Sequence, residues 1–130
     1  MSTPLGPDGL PPDWNFRPEW ETTPRRTRQA MAAPPEQRPI LLDCRRADER
    51  GFNRIEGSIH IPMSEVEQRL DELEAEDGVR TRPIIVYCHH GQRSLRTAMT
   101  LRAHGFDGAR SMAGGIDLWS VDIDPGVPRY

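Results

Sequence analysis

The residues of this chain with the clearest chemical potential lie between Cys88 and Arg93, separated only by His89 to Gln92. A cysteine becomes a nucleophile as its thiolate, and a nearby cation or a helix N-terminus favours that ionised form. Arg93 supplies the cation, and apolar residues with helical spacing begin at Leu95. We therefore expect the pKa of Cys88 to fall from about 8.5 into the range of roughly 3.5 to 7.5. The pattern predicts a reactive thiolate at neutral pH.

A strand, a tight loop and a helix must position this thiol. Residues 84–87 form a continuous apolar run, typical of a strand buried on both faces, and Cys88 stands where that strand ends. Gly91 favours a loop whose N–H groups turn inward, and a helix from about Arg93 to His104 would direct its positive end at the same point. The alternative is that Cys88 is a small buried apolar residue at a strand end.

Four motifs in order carry a resemblance to a known family. The segment Y-C-H-H-G-Q-R-S at 87–94 resembles the active-site loop of rhodanese-type sulfurtransferases, whose form is Cys-x-x-Gly-x-Arg-Ser. The family's other characteristic stretches are matched by L-L-D-C-R at 41–45, G-S-I-H-I-P at 57–62 and G-G-I-D-L-W at 114–119. The resemblance covers roughly residues 19–124. It implies a rhodanese-like α/β domain with a mainly parallel sheet of about five strands and helices on both faces.

The resemblance also implies a reaction. Cys88 would attack the outer sulfur of a small anionic donor such as thiosulfate, become a persulfide, and pass that sulfur to a thiol or cyanide. Arg93 would hold the anionic end of the donor or stiffen the loop, and Ser94 could cap the helix and direct its hydroxyl at the thiolate. A protein could also serve as sulfur donor or acceptor. With Cys88 and Arg93 as the catalytic pair, the implied donor-binding residues are His89, His90, Gly91, Gln92, Ser94, Asp43 and Arg45.

Asp43 and Arg45 follow a second apolar strand, Ile40 to Leu42. Sites in parallel sheets form beyond the carboxyl ends of strands, so we expect both residues near Cys88. In the family an Asp-x-Arg pair flanks the active-site loop, which implies that Asp43 orients an arginine, either Arg45 or Arg93. The alternative is that the pair only ties down the loop between strand and helix.

Cys44 stands where the family commonly has an aliphatic residue. Burial in place of valine is one interpretation. The other is a resolving thiol that traps Cys88 as a disulfide under oxidation, which peptide mapping of peroxide-treated protein would detect.

Composition excludes several classes of function. The net charge is -3 and the basic residues are scattered, so the sequence indicates no surface for nucleic acid. All 17 residues of the Lys+Arg class are arginine, and the lack of lysine excludes Schiff-base chemistry and a Walker-type phosphate loop. Two cysteines do not form a disulfide scaffold, and no apolar stretch has transmembrane length. We expect a cytoplasmic protein with no membrane contact and no cofactor. His89 and His90 lack a second cluster with ligand spacing, so we expect no metal, and the pair would attract anionic donors at low pH.

Two other functions are consistent with the site motif. Cysteine phosphatases and arsenate reductases use the same thiolate, amide cradle and arginine, but they place one more residue between cysteine and arginine. The shorter loop suits a single sulfur atom better than a tetrahedral oxyanion. A non-catalytic binding module with this fold is the third interpretation, although such modules usually lose the cysteine, and Cys88 and Arg93 are both present.

The sequence divides into an N-terminal arm, one domain and a C-terminal tail. Residues 1–18 are rich in proline and glycine and form an arm, residues 19–124 form the domain, and residues 125–130 form a tail. Aromatic residues in the arm favour its docking on the domain, with a partner protein as the alternative. The predicted flanking elements are a helix from Pro24 to about Ala33, a short strand Ile59–Ile61, a helix begun by the capping box Ser64–Glu67 and ended at Gly78, an edge strand Arg110–Met112, and a helix opened by Gly114–Gly115.

Overall fold

Parallel strands form the centre of the molecule. The computed structural model describes residues 4–74 and 82–130 of the chain. The strands are β1 (Glu21–Thr22), β2 (Ile40–Asp43), β3 (Ile59–His60), β4 (Ile84–Tyr87) and β5 (Ala109–Met112). The α-helices are α1 (Pro24–Met31), α2 (Ala47–Phe52), α3 (Leu70–Glu74), α4 (Gln92–Ala103) and α5 (Gly115–Asp122), with 3-10 turns at Pro35–Gln37 and Met63–Glu65.

All five strands pair in parallel, in the order β1-β5-β4-β2-β3. This confirms the predicted α/β class and the five-stranded sheet. The prediction that Arg110–Met112 lies at the sheet edge was wrong, because the two-residue strand β1 pairs with the outer side of β5. A segment as short as Glu21–Thr22 carries no periodic signal in the sequence.

Helices cover both faces of the sheet, as predicted. On one face, Leu42 of β2 and Val86 of β4 pack against Ala98 and Leu101 of α4. On the other face, Leu41, Ile85 and Tyr87 pack against Ile116 and Trp119 of α5. Because successive strand residues point to opposite faces, β2 and β4 must be apolar at nearly every position, and all their residues are buried.

Helix ends follow local side-chain and backbone chemistry. The hydroxyl of Thr23 accepts a 3.1 Å hydrogen bond from the N–H of Arg26, so α1 begins as predicted, although it ends at Met31 rather than near Ala33. Helix α4 ends before Gly105, whose φ of 90° lies in the left-handed region. The N–H of Phe106 then bonds to the Leu101 carbonyl, confirming the predicted C-cap.

The capping box predicted at Ser64 and Glu67 was wrong. Met63–Glu65 forms a 3-10 turn instead, and the α-helix begins only at Leu70. Val66 and Leu73 are nevertheless buried against the sheet, so the apolar pattern identified the packed side of this segment without its helical bounds. The predicted end at Gly78 lies outside the described residues.

The described part of the arm lies on the domain. Leu10 is buried against Ala113 and Leu118, and the partly buried Trp14 and Phe16 pack against the same cluster. This agrees with docking of the arm on its own domain. Among the helices described at residues 4–74 and 82–130, none is long and apolar enough to cross a membrane.

Candidate active site

Cys88 lies at the carboxyl end of β4, between a central strand and the start of α4. Its side chain is 1% exposed. The chain turns through His89 and His90 to Gly91, which has a φ of 114° and forms the N-cap of α4. Any residue with a Cβ is strained at this φ, so glycine makes the tight turn possible. The predicted order of strand, loop and helix is confirmed.

Two backbone N–H donors and one hydroxyl contact the Cys88 sulfur. The N–H of Gly91 lies 3.1 Å from Sγ and the N–H of Ser94 lies 3.3 Å from it. The Ser94 hydroxyl is 3.3 Å from the same atom and 2.7 Å from the hydroxyl of Ser111. Donors arranged in this way stabilise negative charge on sulfur, and the N-terminal end of α4 adds to the effect. Ser94 therefore orients its hydroxyl toward the thiol as predicted, but the N-cap of the helix is Gly91 and not Ser94.

Helix α5 fixes the other side of the active-site loop. The N–H of Ile116 donates to the carbonyl of Cys88 at 2.9 Å, and the N–H of Asp117 donates to that of His89 at 3.1 Å. Gly115 precedes them with a φ of 62°, and a Cβ there would lie 2.3 Å from the His89 carbonyl oxygen. The first turn of α5 thus binds the carbonyls of Cys88 and His89 and fixes this side of the active-site loop.

A pocket of about 320 Å³ opens at this thiol, lined by Cys88, His89, His90, Gln92 and Arg93. Every one of these residues was predicted from the sequence to belong to the site. The His90 side chain is 65% exposed at the mouth of the pocket and lies 3.9 Å from Asp117. The pocket is small, and the partly exposed guanidinium of Arg93 at its wall can donate to a small anion.

Arg93 is held by a carboxylate that the sequence analysis did not identify. Its two terminal nitrogens donate to the two oxygens of Glu49 at 2.6 and 2.9 Å. The Glu49 side chain is 5% exposed, whereas that of Arg93 remains 29% exposed. The hydrogen bonds from Arg93 lower the pKa of Glu49 well below its ordinary value. Glu49 therefore fixes the guanidinium beside the pocket while leaving part of it open to a bound anion.

This ion pair makes stability depend on pH in a definite direction. Because the folded pKa of Glu49 is lowered, its contribution is full above about pH 4.3 and is lost as pH falls toward the folded value. We expect Glu49→Gln to reduce the free energy of unfolding by about 1–3 kcal/mol at neutral pH. Below about pH 4 the difference between parent and variant should shrink, as measured by urea midpoints over a pH series.

The adjacent carboxylate supplies a matched control. Asp48 is 72% exposed and pairs with Arg46 on the surface, so Asp48→Asn should leave the urea midpoint close to that of the parent across the pH series. A Glu49→Gln difference that stayed constant across the pH series would contradict the assigned role of the ion pair.

Asp43 and Arg45 lie near the site but are not open to a donor. Asp43 binds Arg45 through both oxygens, at 2.9 Å each, and both side chains are completely buried. The other guanidinium N–H groups of Arg45 donate to Asn53 and to the Tyr130 hydroxyl, so all five donors are used. The expectation that this pair binds the donor is therefore corrected: Asp43 orients Arg45, not Arg93, and together they anchor the chain between β2 and α2.

Tyr130 links this buried network to the active-site loop. Its hydroxyl accepts from Arg45 at 3.0 Å and donates to Glu49 at 2.6 Å. Its ring stacks on His89 with centroids 3.9 Å apart. Burial and the hydrogen bond to Glu49 raise the pKa of Tyr130 to about 12, so the hydroxyl keeps its proton at neutral pH. No sequence pattern near Tyr130 indicated this contact, because it joins elements far apart in the chain.

The two histidines of the loop differ in environment. His89 is packed between Tyr130 and His90, and burial, followed by the charge of His90, lowers the pKa of His89. His89 therefore adds no positive charge to the pocket at neutral pH, and only acid conditions would give the charge that the sequence analysis expected. Within residues 4–74 and 82–130, no group of three or more His, Cys, Asp or Glu side chains is arranged to hold a metal ion.

The fold and site together define a class of cysteine-dependent α/β protein. A thiol ends a central parallel strand, donors surround its sulfur, and an arginine from the following helix lies at the pocket. The model of the rhodanese-like domain family matches residues 23–122, and the chain therefore belongs to that family.

Relatives of known name agree with this membership. The adenylyltransferase and sulfurtransferase MOCS3-1 of Zea mays is 36% identical over 93 residues, which cover 70% of this chain and 20% of that protein. The human single-domain sulfurtransferase TSTD1 aligns with a TM-score of 0.68 and 26% identity over 82% of this chain and 98% of that chain. Thiosulfate sulfurtransferase from Pseudomonas aeruginosa, at 22% identity and a TM-score of 0.69, shares the fold over 87% of this chain and 21% of its own. The chain spans about a fifth of the length of the first curated relatives it matches.

Proposed function

We propose that this chain is a sulfurtransferase that carries sulfane sulfur on Cys88. The observation that carries the proposal is the set of two N–H donors and one hydroxyl, from Gly91 and Ser94, around a sulfur at the end of a small pocket. Family membership and the names of the maize and human relatives support the same class of reaction.

The first half-reaction forms a persulfide. The Cys88 thiolate attacks the outer sulfur of thiosulfate, a new S–S bond forms, and the donor's own S–S bond breaks to release sulfite. The negative charge then lies on the outer sulfur of the persulfide. Arg93 is partly exposed beside Cys88, so it would hold the anionic end of the donor through the N–H groups that Glu49 does not use.

The second half-reaction transfers that sulfur. A thiol or cyanide attacks the outer sulfur, and Cys88 leaves as a thiolate that the same donors stabilise. His90 and Gln92 line the mouth of the pocket, where a small acceptor or the thiol of a protein would approach. Both cysteines are free thiols, which suits a reducing cytoplasm and a protein sulfur donor or acceptor.

Turnover of the parent protein tests this proposal against a phosphatase. With thiosulfate and cyanide we expect steady formation of thiocyanate, and with p-nitrophenyl phosphate we expect no hydrolysis above the uncatalysed rate. The reason is the loop of four residues between Cys88 and Arg93, which forms a cradle for one sulfur atom. Hydrolysis of the phosphate ester without thiocyanate formation would overturn the proposal and favour the phosphatase class.

A further inference from the structure

The second cysteine of the chain lies beside the first. Strands β2 and β4 pair in parallel with Asp43 opposite Tyr87, and the N–H of Cys44 donates to the Tyr87 carbonyl at 3.1 Å. Cys44 and Cys88 are therefore the next pair beyond the two strand ends. Neighbouring strands lie about 4.7–4.9 Å apart, and a disulfide requires a Cα separation of about 4.4–6.8 Å. The backbone spacing at this pair is compatible with a disulfide.

Both thiols also point to the same side of the sheet. Side chains alternate along a strand, so Cys44 shares a face with Leu42, and Cys88 shares that face with Val86. All four belong to one buried apolar cluster, and each cysteine is 1% exposed. Burial, and then the charge of Cys88, raise the pKa of Cys44 to about 12. Cys44 is thus a protonated thiol that does not compete with Cys88 for an anionic donor.

From this juxtaposition we infer a further activity, which rests on the proposed persulfide: Cys44 resolves the Cys88 persulfide and releases its sulfane sulfur as sulfide. Cys44 Sγ forms a bond to Cys88 Sγ, and the bond between Cys88 Sγ and the outer sulfur breaks. The outer sulfur leaves as HS⁻, taking with it the bonding electron pair and the proton of Cys44.

Atoms and electrons balance without an external oxidant. The two cysteine thiols are oxidised to a disulfide, and the sulfane sulfur is reduced to sulfide. The outer sulfur of the persulfide carries the negative charge and takes the Cys44 proton within the site, so the attacking Cys44 thiolate forms as the step proceeds and no external base is needed. A dithiol reductant must then reopen the disulfide before Cys88 can accept sulfur again.

The buried position of Cys44 determines when it resolves the persulfide and when the sulfur is instead transferred to an acceptor. A small acceptor that enters the pocket reaches the outer sulfur from the side of His90 and Gln92, whereas Cys44 reaches the inner sulfur from the apolar core. With an acceptor present, sulfur leaves by transfer. Without an acceptor, the persulfide is resolved as sulfide, and the disulfide blocks further loading of Cys88.

The test compares the parent with Cys44→Val, in which a β-branched residue of similar size suits the strand end. Cys44→Ala serves as a second variant if the valine protein does not fold. Inorganic polysulfide installs the persulfide on each protein, because this reagent adds sulfur to reactive thiols without any need for thiosulfate turnover. Excess reagent is removed without oxygen, and intact mass and released sulfide are followed with time in the absence of acceptor and reductant.

We expect the parent to lose its added sulfur, release one sulfide per chain, and finish two hydrogen atoms lighter than the reduced protein. Arginines at 45, 80 and 93 place the two cysteines on different tryptic peptides, so mapping should show a peptide pair joined through Cys44 and Cys88. The valine variant should take up sulfur equally and keep it at least about tenfold longer. Equal retention by parent and variant, loss without the joined peptides, or failure of polysulfide to load Cys88 would each overturn the inference.

A parallel loading with thiosulfate separates the two proposals. If polysulfide loads Cys88 and the parent then forms the disulfide, but thiosulfate loads neither protein, the resolving step stands and thiosulfate is not the donor. If thiosulfate loads both proteins and the parent keeps its sulfur as long as the valine variant, sulfur transfer stands and the role of Cys44 fails.

Discussion

Cys88→Ser should abolish the formation of thiocyanate from thiosulfate and cyanide, with a fall in kcat/KM of at least about a thousandfold. A serine hydroxyl can accept the same hydrogen bonds from Gly91 and Ser94, so the fold of the loop should persist. It cannot form the S–S bond on which both half-reactions depend. Steady-state kinetics measures the loss, and circular dichroism verifies that the variant is folded.

The other cysteine provides the matched control for this experiment. Cys44→Val removes the neighbouring thiol from the same buried cluster without touching the nucleophile. With cyanide in excess the acceptor takes the outer sulfur, so turnover of this variant should stay within about threefold of the parent. Retention of activity in Cys88→Ser, or its loss in a Cys44→Val protein that circular dichroism shows to be folded, would show that the nucleophile has been assigned to the wrong residue.

Gly115→Ala should cause a large loss of stability although it changes none of the reacting atoms. The backbone φ of 62° is strained for any residue with a Cβ, and the added carbon would meet the carbonyl oxygens of His89 and Cys88 at 2.3 and 2.5 Å. Backbone atoms cannot move aside as a flexible side chain can. We expect the free energy of unfolding to fall by about 2–4 kcal/mol, as measured by urea denaturation.

Activity should fall in the same variant beyond what unfolding explains. The first turn of α5 binds the carbonyls of Cys88 and His89, so its displacement shifts the loop that surrounds the sulfur. Gly51→Ala is the control, since Gly51 lies in α2 with no atom within 4 Å of an added Cβ. That change should be neutral or stabilising by up to about 1 kcal/mol. If both alanine variants behave alike, the close approach at Gly115 does not determine the loop.

The elements around Cys88 could be predicted from the sequence because each has a strong pattern within a few consecutive residues. The apolar run at 84–87 predicted the buried strand β4, Gly91 predicted the tight loop, and the helical spacing of apolar residues from Leu95 predicted the helix after it. Gly105 followed by Phe106 predicted the end of α4 because a left-handed glycine and its apolar neighbour form a self-contained motif. The pocket residues were found for the same reason, since they are contiguous in the chain.

The site residues whose roles were not predicted from the sequence all depend on contacts between distant segments of the chain. Glu49 holds Arg93 across 44 positions of sequence, and Tyr130 joins Glu49 across 81. Glu49 had one readable signal: it follows strand β2 at the carboxyl edge of the sheet, where parallel sheets place their sites. Tyr130 had none. Arg45 carried a charge and a motif that suggested contact with a donor, but only the structure reveals that all of its N–H groups are used internally.

The capping box at Ser64 and Glu67 failed for another reason. Its residue types match the rule, yet Pro62 leads into a 3-10 turn at Met63–Glu65 and the α-helix starts only at Leu70. Val66 is buried in the core cluster directly after that turn, and a tertiary contact of this kind can outweigh a local preference worth about 1 kcal/mol.

Covalent sulfur on Cys88 is tested most directly by the intact mass of purified protein after brief incubation with thiosulfate. The parent should gain the mass of one sulfur atom and lose it when cyanide is added, whereas Cys88→Ser should keep its original mass throughout. A gain in both proteins would place the sulfur on another residue. No gain in either the parent or Cys44→Val, with thiosulfate or with polysulfide, would contradict a role for Cys88 as a persulfide carrier.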